Sequence, residues 1–199
     1  MINSLLALST EAKIGVGVGV GAAVLLIIIF IAVWISLYNK LLRLKNLVEE
    51  AWATVDVQLK KRYDLIPNLV STVKGYAKHE SETLEAVIRA RNVAMTATRD
   101  NKMEAENELS GTLKSLFKLR EAYPDLKANR NFMDLQEQLR NIEDEISSAR
   151  RYYNAVVREF NTKLVVFPSN LVARKMRLEK QKYFELDSEE ERKNVKVEF

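Results

Sequence analysis

Two rhythms of apolar residues divide the chain. Residues 14–37 carry no charge at all, opening on alternating Gly and hydrophobic residues and passing into a run of Leu, Ile, Phe and Ala. From there the apolar positions recur at Leu41, Leu44, Val48, Trp52, Val55, Leu59, Tyr63, Ile66, Val70, Val73 and Ala77. Steps of three and four residues, averaging about 3.6, lay one stripe along a nearly straight helix. The stripe starts where the uncharged run ends, which predicts one continuous helix through both. Pro67 lies inside it. Its missing N–H and its ring predict a bend around Tyr63 and Ile66.

The rhythm breaks near Gly75 and His79 and resumes over residues 80–98. There Leu84, Val87, Ile88, Arg91, Ala94 and Met95 lie toward one side. Asn101 with Glu104 three residues on reads as a capping box, opening a helix that carries Leu109, Leu113, Leu116 and Phe117. Pro124 disfavours helix at Tyr123 and stops it. Next come Phe132, Leu135, Leu139, Ile142, Ile146, Ala149, Tyr153, Val156 and Phe160, a coiled-coil-like seam. Phe167 and Pro168 end the seam, and a short helix to about Lys175 follows. No segment reads as a core strand. The predicted fold is all-α: an N-terminal transmembrane helix continuing into an antiparallel three- or four-helix bundle.

At ~1.5 Å per residue the uncharged run reaches ~36 Å, enough for a ~30 Å hydrocarbon core. It is too long for a signal-peptide core and lacks a small-x-small cleavage site. Trp34 and Tyr38 stand at one end, where aromatic rings favour the headgroup region. Lys40, Arg43 and Lys45 follow the run, against Lys13 with Glu11 before it. Positive residues stay on the cytoplasmic side. The expected organisation is a non-cytoplasmic tail (1–13), a single transmembrane helix (14–37), a cytoplasmic bundle (38–175) and a basic then acidic tail (176–199), all at the cell membrane. Gly15, Gly17, Gly19 and Gly21 form small-xxx-small pairs that suit helix association in lipid, or simply reflect the commonness of Gly there. Together with the seam they raise homo-oligomerisation as an expectation.

Composition narrows the chemistry. The chain has no Cys, so disulfides and thiolate metal sites are excluded. The formal charge of +4 is spread among interleaved acids and bases, which disfavours nucleic acid as a partner. His79 is the one His, and there is no Glu-x-x-His pair of the di-iron kind. No cofactor or metal is expected. An enzyme would have to use Asp56, Asp64 and His79, with Arg150. Polar residues do flank the stripes: Asp56, Gln58, Arg62, Asn68, Arg91, Arg150, Asn154 and Asn161. They form either a groove for a partner or a network between helices that fixes register. The second reading pairs Asp56 with Arg150, or failing that with Arg91, because a carboxylate near a core needs a cation.

Trp52, Asp56, Gln58, Arg62, Asp64, Pro67, Asn68 and Val70 stand in a pattern that resembles the signature of the LemA family of bacterial membrane proteins. The likeness continues in order through Gly75, His79, Glu80, Ala90, Arg91, Tyr123, Pro124, Asp125, Ala128, Ala149, Arg150, Tyr153, Asn154, Phe160, Asn161, Phe167, Pro168 and Asn170. The resemblance implies one N-terminal membrane helix and a cytoplasmic helical bundle, and no reaction. One departure is local: the family pattern leads to a Gly-Phe pair between Asn170 and the Tyr183, Phe184, Glu185 element, and residues 171–182 contain none, so the last segment is expected to pack differently.

Arg174, Lys175, Arg177, Lys180 and Lys182 would suit anionic lipid, though Glu189, Glu190 and Glu191 follow them. The apolar alternation of Val195, Val197 and Phe199 suits either strand addition to a partner or packing back on the bundle. The function expected is a membrane-anchored helical interaction or scaffold protein. Its expected partners are membrane lipids, other membrane proteins or a second copy. Lipid binding or membrane remodelling is the alternative, and an enzyme the second.

Overall fold

The structure, a computed structural model, describes residues 2–184, with side chains from residue 20 onward. The acidic cluster at Glu189 to Glu191 and the alternation ending at Phe199 lie outside the described residues. The described chain is helical throughout its regular elements: α1 (Ile2–Tyr76), α2 (Ser81–Thr96), α3 (Lys102–Lys118), α4 (Pro124–Lys127), α5 (Arg130–Val165) and α6 (Ser169–Lys175). A single turn of 3-10 helix, Leu119–Glu121, follows α3.

Helix α1 is one element from Ile2 to Tyr76, so the expected continuity holds, and the helix passes through Pro67 without a break. Its N-terminal part is long and apolar enough to cross a membrane. Val24, Leu25, Ile28, Phe30 and Ile31 are all exposed. A helix apolar on every side finds no protein to bury it and suits lipid.

The chain forms two compact units. The first combines residues 1–46 with 160–180. Here α6 supplies Val172 and Ala173, which bury against Leu41, with Trp34, Leu37, Leu164, Met176 and Leu178 around them. In the segment that departs from the family pattern, Val172 and Ala173 thus join a small core, while Leu171 is exposed. Helix α6 closes with Arg177 N–H on the Arg174 carbonyl and Leu178 N–H on that of Ala173, both at 3.1 Å. This is a Schellman close, and it holds Arg177 at φ 52°, where glycine is usual.

The second unit combines residues 47–159 with 181–184 of the described chain. It is an up-down-up-down bundle of α1, α2, α3 and α5, joined by short connections that force antiparallel neighbours. The α1 stripe supplies Val55, Leu59, Tyr63, Ile66, Val70 and Val73 to its core. Leu84, Val87 and Ala94 come from α2, Leu109, Leu113 and Leu116 from α3, and Phe132, Leu139, Ile146 and Tyr153 from α5. The seam of α5 is therefore filled within the chain, with Leu135 and Ile142 half-buried. It no longer argues for self-association. The glycine pairs remain as the ground for it. A methyl group at Gly21 would meet nothing within 4 Å.

Two local expectations are corrected. Asn101 precedes α3 but has helical dihedrals and makes no side-chain cap hydrogen bond, so the capping box does not form. Ile88 and Met95 face solvent. The inward side of α2 is set by Leu84, Val87, Ala90 and Ala94, a stripe of smaller side chains than the one predicted.

Candidate functional site

Two charged side chains sit at the centre of the bundle. Arg62 on α1 is 1% exposed and Glu106 on α3 is fully buried. They form an ion pair through Arg62 Nη2, and the Tyr63 hydroxyl donates to the other Glu106 oxygen. Arg62 Nη1 donates to Glu143 of α5 at 2.8 Å and to the Ser110 hydroxyl at 3.1 Å. Lys102, itself buried, donates to the Ala94 carbonyl at 2.9 Å. One network thus ties α1, α2, α3 and α5 together. Both carboxylate oxygens of Glu106 are engaged, one by Arg62 and one by Tyr63, so this acid is a fixed member of the network.

The Tyr63 phenol feels its surroundings. Burial first, and then the hydrogen bond to Glu106, push its pKa well above the ordinary value. The folded state keeps this proton to higher pH than the unfolded chain, where tyrosine titrates near about 10. Above that pH the folded state binds more protons than the unfolded one, so stability falls as pH rises. The stabilisation tied to this proton is complete below about pH 10 and lost progressively above it. Thermal melts from about pH 8 to pH 11 should show this alkaline loss, and Tyr63→Phe should flatten it.

Pro67 explains another contact. The carbonyl of Tyr63 would accept a hydrogen bond from the N–H of residue 67, which proline lacks. Arg91 Nε of α2 donates to that carbonyl at 2.8 Å. The guanidinium replaces the missing helix bond and is thereby fixed against α1. Arg91→Ala should cost about 1–3 kcal/mol, since it leaves a partly buried carbonyl unpaired. In Pro67→Ala the helix regains its own donor, and the same Arg91 change should cost measurably less. A double-mutant cycle by denaturant unfolding reads the difference, and additive effects would contradict the assignment.

A third cluster gathers around Trp52. Residues 181–184 run without regular structure across the bundle, held by side chains. Asn154 binds both the carbonyl (2.8 Å) and the N–H (2.7 Å) of Phe184, and the Tyr153 hydroxyl donates to the Lys182 carbonyl at 3.0 Å. The Phe184 ring is 3% exposed. It stacks on Trp52 with centroids 6.0 Å apart, and Tyr153 meets Trp52 edge-on at 5.5 Å. Arg99 caps the indole at 4.6 Å and pairs with Glu49 at 3.0 Å. The Arg150 guanidinium lies 4.4 Å over Phe184, with Nε and Nη2 buried and unpartnered. Burial, reinforced by the nearby charge of Arg62, lowers its pKa.

Set against the sequence expectations, Arg62 and Arg91 enter inter-helix contacts, while Arg150 and Asn154 hold Phe184 in the irregular segment that crosses the bundle. Gln58 is half-buried, with its Oε1 buried and unpartnered. Asp56 corrects the expectation placed on it: it is exposed, and neither Arg150 nor Arg91 pairs with it. Asp64, Asn68 and His79 are exposed as well. Sequence reasoning missed Glu106, Lys102 and Ser110. The available signal was that Lys102, Glu106, Leu109 and Leu113 lie on one face of α3, so two charges interrupt an otherwise apolar stripe. Among the described residues no group of three His, Asp or Glu side chains converges to hold a metal.

An apolar helix fit for a bilayer, joined to a bundle whose interior charges bind one another, defines a membrane-associated helical-bundle protein. The chain belongs to the LemA family. The sequence model of that family matches residues 51–199. Protein LemA of Metamycoplasma hominis is 30% identical over 151 residues, covering 73% of this chain and 68% of the relative. The family is membrane-associated, its molecular function is unresolved, and it is not known as an enzyme family.

Proposed function

We propose that this protein is a membrane-anchored interaction module. It crosses the membrane once, with its N-terminus outside and its bundle in the cytoplasm, and holds that bundle as a scaffold for other membrane proteins or for a second copy. The closed network of Arg62, Glu106 and Tyr63 carries this reading, because it spends the buried charges on rigidity. The residues an enzyme would need, Asp56, Asp64 and His79, are each exposed on α1 or in the loop after it. A rigid, tethered bundle suits holding a partner in place.

Cross-linking in intact membranes, followed by solubilisation and mass spectrometry, tests the proposal. A recurring set of cross-linked membrane proteins, or a cross-linked dimer, is the expected result. A monomer without recurring partners would overturn it. The absence of Cys makes topology separately testable. Ser4→Cys should react with an impermeant thiol reagent from outside the cell, and Lys60→Cys only after lysis.

A further inference from the structure

Between α3 and α5 the bundle opens into a cavity of about 500 Å³. Small-molecule sites commonly span ~300–1,000 Å³. Phe117 and Met133 line one end of it, Leu113 the middle, and Arg62, Ser110 and Glu143 the other end. Along α5, Met133 and Glu143 are separated by ~15 Å of helix rise. The cavity is therefore a slot about that long, apolar at one end and hydrogen-bonding at the other.

The polar end is a built feature. Arg62 is 1% exposed, and its Nε has no partner. Its Nη1 faces the slot, with Glu143 at 2.8 Å and Ser110 at 3.1 Å. Glu143 is 48% exposed, so its carboxylate reaches this seat from the solvent side and can leave by side-chain rotation. What it would vacate is a guanidinium edge beside a hydroxyl, the pairing a carboxylate satisfies. Replacing one carboxylate by another leaves the charge balance around Arg62 and Glu106 unchanged. Lys114 and Arg140 stand on the rim, Arg140 paired with Glu137 at 2.7 Å.

We propose that this slot binds a single-chain carboxylate amphiphile. The head sits on Arg62 and Ser110 in place of Glu143, and the apolar chain lies along Leu113 toward Phe117 and Met133. Amphiphiles of this kind concentrate at membranes, where an anchored protein meets them. The inference goes beyond the interaction reading and stands independently of it.

The test uses the full chain in phosphatidylcholine nanodiscs and a dodecanoic acid carrying a photoreactive diazirine at its chain end. After irradiation, adducts should map to the Phe117 and Met133 end of the slot, and excess dodecanoate should compete them away. Met133 is 51% exposed, so Met133→Trp fills the slot without entering the core, and it should abolish these adducts. Glu143→Gln removes the resident anion and should lower the half-saturating probe concentration several-fold. Dodecanol should compete far less well than dodecanoate. Adducts confined to the membrane-facing part of α1 would overturn the proposal. So would labelling untouched by Met133→Trp, weaker labelling in Glu143→Gln, or equal competition by dodecanol. A cross-linked peptide or protein that blocks labelling whether or not dodecanoate is present would assign the slot to that partner instead.

Discussion

Glu106→Ala should destabilise the bundle by about 3–5 kcal/mol, the cost of removing one member of a buried ion pair. The loss leaves Arg62, at 1% exposure, without its buried counter-ion and deprives the Tyr63 hydroxyl of its acceptor. Glu143 remains on Arg62, but it is 48% exposed and screened by water. The measurement is chemical unfolding of the full chain in nanodiscs, followed by helical circular dichroism. A paired replacement by apolar residues, Arg62→Met with Glu106→Leu, should recover most of the loss, because such swaps are often neutral or better. Recovery would show that the pair contributes little net stability of its own. Asp56→Ala, by contrast, should fall within about 0.5 kcal/mol of the parent, as surface substitutions do.

The second large effect is expected at Trp52. Truncating a packed Trp to Ala costs about 3–5 kcal/mol, and here the indole supports Tyr153, Phe184 and Arg99 together. Trp52 is only half-buried, so the lower end of that range applies. Phe184→Ala should be less damaging alone and far from additive with Trp52→Ala, since the first change already removes the stacking partner. Asn154→Ala should release the backbone of Phe184 while leaving the indole in place. Protease cleavage near Lys182 should then accelerate before global stability changes.

The fold was legible because it is written in apolar spacing. Of the stripe positions read along α1, all are buried except Trp52, which is half-buried. A period of 3.6 over so long a stretch has no rival reading. The centre of the bundle was harder to see for the same reason. Apolar spacing passes over charged residues, and the most buried charges, Arg62 and Glu106, occupy positions inside the stripes. Asp56 was singled out because it adjoins Val55 in sequence, yet neighbours on a helix differ by about 100° in direction. Val55 faces inward and Asp56 faces water. The role of Arg91 was hidden because it depends on a hydrogen bond that Pro67 cannot make, and only the packing of α2 against α1 supplies the substitute. The turn after α3 and the four-residue α4 carry too few residues to show a period.

The Phe184 contact also sets an order of events during synthesis. Trp52 leaves the ribosome early, soon after the apolar part of α1. Its stacking partner is made ~130 residues later, roughly seven to twenty-six seconds at common elongation rates. Through that interval the indole face waits without its stacking partner. The bundle is closed by nearly the last described residues, so a ribosome that stalls or terminates before Phe184 releases a protein with its most aromatic surface still exposed.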